Sequence, residues 1–476
     1  TVRLANDINL ANKPWTPIGY YIDNNDYKAF QGTFDGNNHK ISNLKVDGGN
    51  KSNQGLFGYT TNGEIKDLTV ENAQIRGRLN VGVVAGTPYT SKYTNITLKG
   101  LVQVDGMSYV GGVGGKNAYA DWTNITVDVE EGSYVKANSV ENGTAYRTYV
   151  GGVIGFMGEG GHSFTNVKSN IDVTGSTIDV GGITGIAHYG NNFINCSSSG
   201  DVTITDATEA AEAEEIGGIA GVWHNQTGYK VTFTNCSFTG SLKVNGGYVV
   251  NTNKYGDLVC AAYNTTGAGM LIIDGVYYVA SIDGFKSALE VDEATDINLI
   301  LSQGNYKIDL YNNKVINSLS IVGSEGTQVA FSKGQVNLSR FEKLTIDNCE
   351  ILRMPDKSWG HLVFSASGNA NGVYTVSNCT FNGQVSQGIY INETASGTTY
   401  NIIDCTFNGD FGNEGAVTIQ AGDIPGPRNA AFNVNVTGCE FNNIPITSHK
   451  IAVLFTDTAW TLNTDVASSE IYWRDK

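Results

Sequence analysis

The chain has 476 residues, among them 59 glycines, 50 asparagines and only 7 prolines, and its formal charge is −16 from 30 basic and 46 acidic side chains. Glycine and asparagine are poor helix formers, which excludes a helical bundle; glycine shows no three-residue period, which excludes collagen; and 40% apolar residues exceed what a disordered chain carries. The acidic field repels a phosphate backbone, so nucleic acid is excluded as a partner, and no apolar run approaches the ~18 residues of a membrane span.

Taken from the start, Val2-Arg-Leu-Ala-Asn-Asp-Ile-Asn-Leu10 reads as a strand with no helix before it. A chain that opens at Thr1 without initiator methionine or apolar leader is expected to be a mature or trimmed piece, with any cap of its first strands upstream. One pattern then recurs six times: Gly55-Leu-Phe-Gly58, Val81-Gly-Val-Val-Ala-Gly86, Val110-Gly-Gly-Val-Gly-Gly115, Val150-Gly-Gly-Val-Ile-Gly155, Val180-Gly-Gly-Ile-Thr-Gly185 and Ile216-Gly-Gly-Ile-Ala-Gly221. The closing glycines are 28, 29, 40, 30 and 36 residues apart. Strands fall between them, such as Thr94-Asn-Ile-Thr-Leu98, Thr123-Asn-Ile-Thr-Val127, Phe193-Ile-Asn-Cys196 and Phe233-Thr-Asn-Cys236. Segments near 30 residues, all strand and turn, predict an all-β fold of right-handed parallel β-helix type, a solenoid whose stacked coils bury a continuous interior. Glycines are expected to supply unusual backbone angles and close approach at the corners, and asparagines to form hydrogen-bonded ladders in the turns. The wide spacings come from two insertions, 130–148 and 206–215, the second with an acidic run.

Around residue 281 a helical spacing appears, Ile282, Phe285 and Leu289, with Ser281 or Asp283 as N-cap. A short helix over 281–290 would cover the edge of a second stack, which continues through Thr345-Ile-Asp-Asn-Cys349, Tyr374-Thr-Val-Ser-Asn-Cys379, Tyr400-Asn-Ile-Ile-Asp-Cys405 and Val434-Asn-Val-Thr-Gly-Cys439. The predicted domains are therefore 1–275 and 276–476, two stacks in tandem; the alternative is one continuous stack with the helix as a lateral loop. Seven cysteines are an odd number, and none forms a CxxC. Cys236, Cys379, Cys405 and Cys439 each precede a phenylalanine by two residues, so thiol and ring are expected to face inward together.

The repeats, with Phe30-Gln-Gly-Thr-Phe-Asp-Gly-Asn-Asn-His-Lys-Ile-Ser-Asn-Leu44 and Gly63-Glu-Ile-Lys-Asp-Leu-Thr-Val70, resemble the GLUG-type repeats of bacterial surface proteins over roughly residues 1–245. The order of helix and strands from 281 resembles the N-terminal cap of pectate-lyase-like β-helices. The first resemblance implies an architectural unit of secreted or surface-anchored proteins. The second brings in carbohydrate-active enzymes, which work from clustered acids and bases, often with Ca²⁺. Asn463-Thr-Asp465 matches three letters of the polygalacturonase pattern, without its partner motifs; Arg428 near Asp423 and Asp404 is a loose match to a lyase base. Asp404 also reads as a ladder residue before Cys405. No motif calls for Ca²⁺ or another cofactor, and no histidine pair has zinc-ligand spacing.

A surface reading rests on rings that follow the closing glycines: Tyr89, Tyr119, His188, Tyr189, Trp223 and His224. On adjacent coils ~4.8 Å apart they would form an aromatic ridge suited to sugar faces or protein partners. The expected role is a non-catalytic adhesin or binding scaffold, extracellular or anchored at a bacterial surface, that meets a polysaccharide or a host glycoprotein. The alternative is a polysaccharide lyase or glycoside hydrolase with its site on the second stack.

Overall fold

The computed structural model describes the chain apart from residues 24–25, 142–143, 146, 159–160, 189, 208–214, 225, 227, 229, 249–255, 260, 263–269, 280, 291–295, 355–359, 366–368, 385, 394–396, 413–414, 422–430, 455–459 and 475–476. It is all-β with mainly parallel sheets, and among the described residues a single α-helix stands out, Ile282–Leu289. The chain divides into two compact units, Thr1–Thr265 with Leu271–Asp274, and Thr266–Met270 with Gly275–Lys476.

In the first unit each repeat adds one strand to each of several ladders. One ladder takes Leu79–Val81, Ser108–Gly111, Val150–Gly151, Val180–Gly181 and Ile216–Gly217. A second takes Phe57–Thr61, Ala85–Tyr89, Gly114–Asn117, Ile154–Met157, Thr184–Ala187, Ala220–Trp223 and Ala261–Ala262. Longer strands, among them Glu64–Arg76, Lys92–Gly106, Asp121–Val129 and Ser163–Ser169, pair in parallel in a third sheet. Inward positions are apolar and stack by register: Tyr93, Trp122, Phe164, Phe193 and Phe233 are successive partners, with ring centroids 4.1, 6.4, 5.1 and 4.8 Å apart and planes within 12° of parallel. All five are at most 1% exposed.

Left-handed backbone is assigned differently from the sequence expectation. The repeat glycines do not adopt positive φ; the residue just before each Val-Gly does, at Asn80, Tyr109, Tyr149 and Asp179 (φ 58°, 59°, 45° and 63°). The glycines are required by close approach alone. A Cβ on Gly111 would sit 2.1 Å from the Gly114 carbonyl oxygen and 2.7 Å from the Gly155 nitrogen, both backbone atoms that have nowhere to go. Gly111→Ala is accordingly expected to destabilise the first unit by ~1–3 kcal/mol or more, read as a lower urea midpoint with an unchanged slope.

Asparagines fill many of the other left-handed positions and form the expected ladder. Asp67, Asn95, Asn124, Asn166, Asn195 and Asn235 all have φ between 51° and 56°. Each amide Nδ2 donates to the side-chain oxygen one turn earlier, at 2.7, 2.9, 2.9, 3.0 and 2.8 Å. The side chain tolerates αL, and its amide is both donor and acceptor, so one residue type serves the bend and the stacking.

The second unit repeats the logic. Ser281 caps the helix by accepting from the Gly284 N–H at 3.1 Å, and Phe285, Ala288 and Leu289 are buried. The helix packs on Val276–Val279 and Gly304–Leu310; Ser281, Phe285 and Leu289 match the predicted cap and inward face, while Ile282 is half-buried. Phe341–Asp347, Val373–Ser377, Thr399–Ile403, Asn433–Thr437 and Thr461–Thr464 then pair in parallel. Phe381, Phe407 and Phe441 stack at 4.9 and 5.2 Å. Cys349, Cys379 and Cys405 are buried and Cys439 half-buried, as inward thiols require; Cys260 lies outside the described residues.

Candidate functional site

The predicted ridge divides by a one-residue offset. In the second ladder, Pro88 is aligned with Asn117, Asn117 with Met157, and Ala187 with Trp223. This column points inward, so Trp223, two residues beyond its glycine, is 1% exposed and belongs to the core. Tyr89 and His188 lie three residues beyond theirs, on the opposite face, because side chains alternate along a strand. The ridge that was to run from Tyr89 to Trp223 is therefore corrected: Trp223 does not reach the surface, and Tyr189 lies outside the described residues.

His188 is also covered, at 9% exposure. His224 Nδ1 and His188 Nε2 lie 2.9 Å apart, so one imidazole donates to the other. Burial, aided by the second ring, holds His188 down to about 3. This pair welds adjacent turns and offers little to a ligand.

The exposed rings run the other way along the ladder. Tyr119 is 43% exposed, with φ 62° in the turn that follows Gly114–Asn117, and its ring meets Tyr89 edge-on at 5.7 Å. Tyr89 stacks with Tyr59 at 6.2 Å, and Tyr59 meets Tyr21 at 5.2 Å and Tyr27 at 6.1 Å. Tyr21 and Tyr27 face each other across an antiparallel hairpin, Tyr20–Asp23 with Asp26–Lys28. At the far end Tyr119 meets His162, whose Nδ1 lies 3.3 Å from an Asp121 carboxylate oxygen. Five tyrosines thus form one run of ring contacts, half-buried at Tyr59 and Tyr89 and open at Tyr21, Tyr27 and Tyr119. Tyr59 immediately follows Gly58, on the same strand face as a residue two further on, and that parity was the available signal. The hairpin tyrosines lie outside the repeat and carried none.

A second cluster was illegible because its members come from three turns. Arg147 is the last residue but one of the first insertion and Glu215 the last of the second, while Asp179 precedes a Val-Gly corner between them. Arg147 Nη1 donates to both Asp179 oxygens at 2.9 and 2.7 Å and to Glu215 at 3.3 Å, and Nη2 donates to Glu215 at 3.4 Å. Asp179 is fully buried. Burial pushes its carboxyl well above the usual range; Arg147 opposes this and the Glu215 carboxylate adds to it.

The enzyme-like letters sit in structural positions. Asp404 is left-handed (φ 52°) before Cys405, and its N–H donates to the Thr437 carbonyl at 3.0 Å. Asn463 is in register with Asn435, and Asp465 accepts from the Gly438 N–H at 2.8 Å. Asp423 and Arg428 lie outside the described residues, as does most of the acidic run. Among the described residues no group of three His, Cys, Asp or Glu side chains is placed to hold a metal ion, and no helix is long and apolar enough to cross a membrane.

No family model and no solved structure matches the chain. A stretch of 96 residues, 20% of the chain, is 42% identical to halomucin of Haloquadratum walsbyi, of which it spans 1%.

Proposed function

We propose that each unit is a right-handed parallel β-helix, the first of GLUG-type repeats and the second pectate-lyase-like, and that the chain is a non-catalytic binding scaffold displayed at a cell surface or secreted. Its ligand-facing element is the tyrosine run Tyr21, Tyr27, Tyr59, Tyr89 and Tyr119. The open rings of that run carry the reading: partly exposed phenols with apolar faces and hydroxyl edges fit the mixed faces of a polysaccharide or a glycoprotein. Parallel pairing that recurs at each repeat supports the solenoid, and the short likeness to halomucin supports the surface setting.

Replacing Tyr89 and Tyr119 together by alanine is expected to weaken binding to the best ligand on a glycan array about tenfold, a loss of ~1.4 kcal/mol. The thermal transition should move little, since Tyr119 is open to solvent and Tyr89 is only half-buried at the end of its strand. Wild-type binding by the double variant would remove the strip from the ligand site.

A further inference from the structure

The thiols of this protein are arranged as neighbours. Ser197 is aligned with Ser237, so the preceding residues Cys196 and Cys236 occupy one column on adjacent turns. Thr406 is aligned with Glu440, which places Cys405 beside Cys439 in the same way. Parallel neighbours are ~4.8 Å apart, inside the Cα separation that a disulfide spans. The thiols also share one direction. Cys196, Cys236, Cys405 and Cys439 lie 3.4, 3.5, 3.5 and 3.6 Å from the carbonyls of Phe164, Phe193, Val376 and Ile402, each on the preceding turn. In each pair one thiol is buried, Cys196 or Cys405, and the other is half-buried, Cys236 or Cys439.

We infer that Cys196 with Cys236, and Cys405 with Cys439, are two oxidation sites at which a small-molecule or protein disulfide converts a thiol pair into a staple between adjacent turns. The accessible thiolate, Cys236 or Cys439, attacks the oxidant's S–S bond, forms a mixed disulfide and releases one thiolate. Its buried neighbour then gives up its proton to solvent and attacks the cysteine sulfur of that mixed disulfide. The second oxidant thiolate leaves, so two protein thiols lose two electrons and one disulfide becomes two thiols. The accessible thiols suit the first step: a hydrogen bond from Cys196 holds Cys236 below the ordinary thiol range, and Cys405 does the same for Cys439. Cys349 and Cys379 are also neighbours, but both are buried, so an oxidant has no entry there.

The test uses the full chain with Cys260→Ser, folded, incubated with oxidised glutathione, then alkylated in denaturant and mapped by mass spectrometry without reduction. The expected result is a mass lower by two hydrogens per staple, cross-linked peptides joining 196 to 236 and 405 to 439, alkylated Cys349 and Cys379, and a urea midpoint that rises and returns on reduction. With Cys196→Ala the glutathione adduct should persist on Cys236 while the 405–439 staple still forms. Adducts that persist on Cys236 and Cys439 of the parent, or four thiols that stay reduced until the protein is unfolded, would overturn the assignment.

Discussion

At a pH where Asp179 is ionised, Arg147→Met is expected to destabilise the first unit by ~3–5 kcal/mol, because it leaves a buried carboxylate without its cation. The arginine is 28% exposed and Asp179 not at all, so solvent cannot take over the lost contacts. The loss should be local. Asp179 accepts backbone pairing from Val150, and Val180 donates to the Glu215 carbonyl, so the turns holding these residues open together. Hydrogen exchange is the suitable measurement: amides around 150–155, 180–186 and 216–222 should lose protection, while the second unit keeps its own. A cost below ~1 kcal/mol would mean that the ion pair is no better than a surface contact.

The same cluster sets a pH dependence whose sign is fixed by burial. Desolvation raises the Asp179 carboxyl in the folded chain well above the value near 3.8 that it has when unfolded. The folded state therefore keeps its proton to higher pH, and the associated stability is present below that unfolded value and lost as pH climbs through the raised folded one. Asp179→Asn removes the titration while keeping a residue that tolerates φ 63°. The urea midpoint of the variant should change less between acid and neutral pH than that of the parent, with the two curves diverging as pH rises. Parallel curves would show that Asp179 stays ionised throughout.

The asparagine ladder and the Arg147 cluster mark where sequence reasoning works and where it stops. The asparagine ladder was legible because each member needs only its own turn and the identical residue one turn away. The helix was legible for the same local reason: Ser281, Phe285 and Leu289 carry the N-cap and the inward face within nine residues. The role of the corner glycines was half legible. Their spacing marks the corners, but left-handed φ falls on the residue before them, since backbone crowding inside the corner, as at Gly111, already demands the missing Cβ. Trp223 was misplaced by one position, and in a strand one position exchanges surface for core. The Arg147 cluster joins two insertions of different length to a corner, so no periodicity pointed to it.

Trp122→Ala tests whether the inward column is a continuous stack or a set of separate fillings. Trp122 lies between Tyr93 at 4.1 Å and Phe164 at 6.4 Å, nearly parallel to both, and its ring edge comes within 3.1 Å of where a Cβ on Gly114 would be. Removing it is expected to cost ~3–5 kcal/mol, since neighbouring strands are held at fixed spacing by their ladders and cannot close on the gap. Ring–ring contacts on both sides add to the loss, at ~0.5–1.5 kcal/mol each in other proteins. Trp122→Phe should recover most of this. It keeps a ring in the column, and it removes an indole N–H that meets no acceptor among the described residues, a group that costs ~1–3 kcal/mol when left unpaired. Each turn pairs only with the turns before and after it, so exchange should rise first in 92–98, 121–127 and 163–169 and fall off with distance along the chain. If Trp122→Phe is as damaging as Trp122→Ala, the volume and not the stacked ring holds this part of the core. If neither lowers the urea midpoint, the column does not limit the stability of the unit.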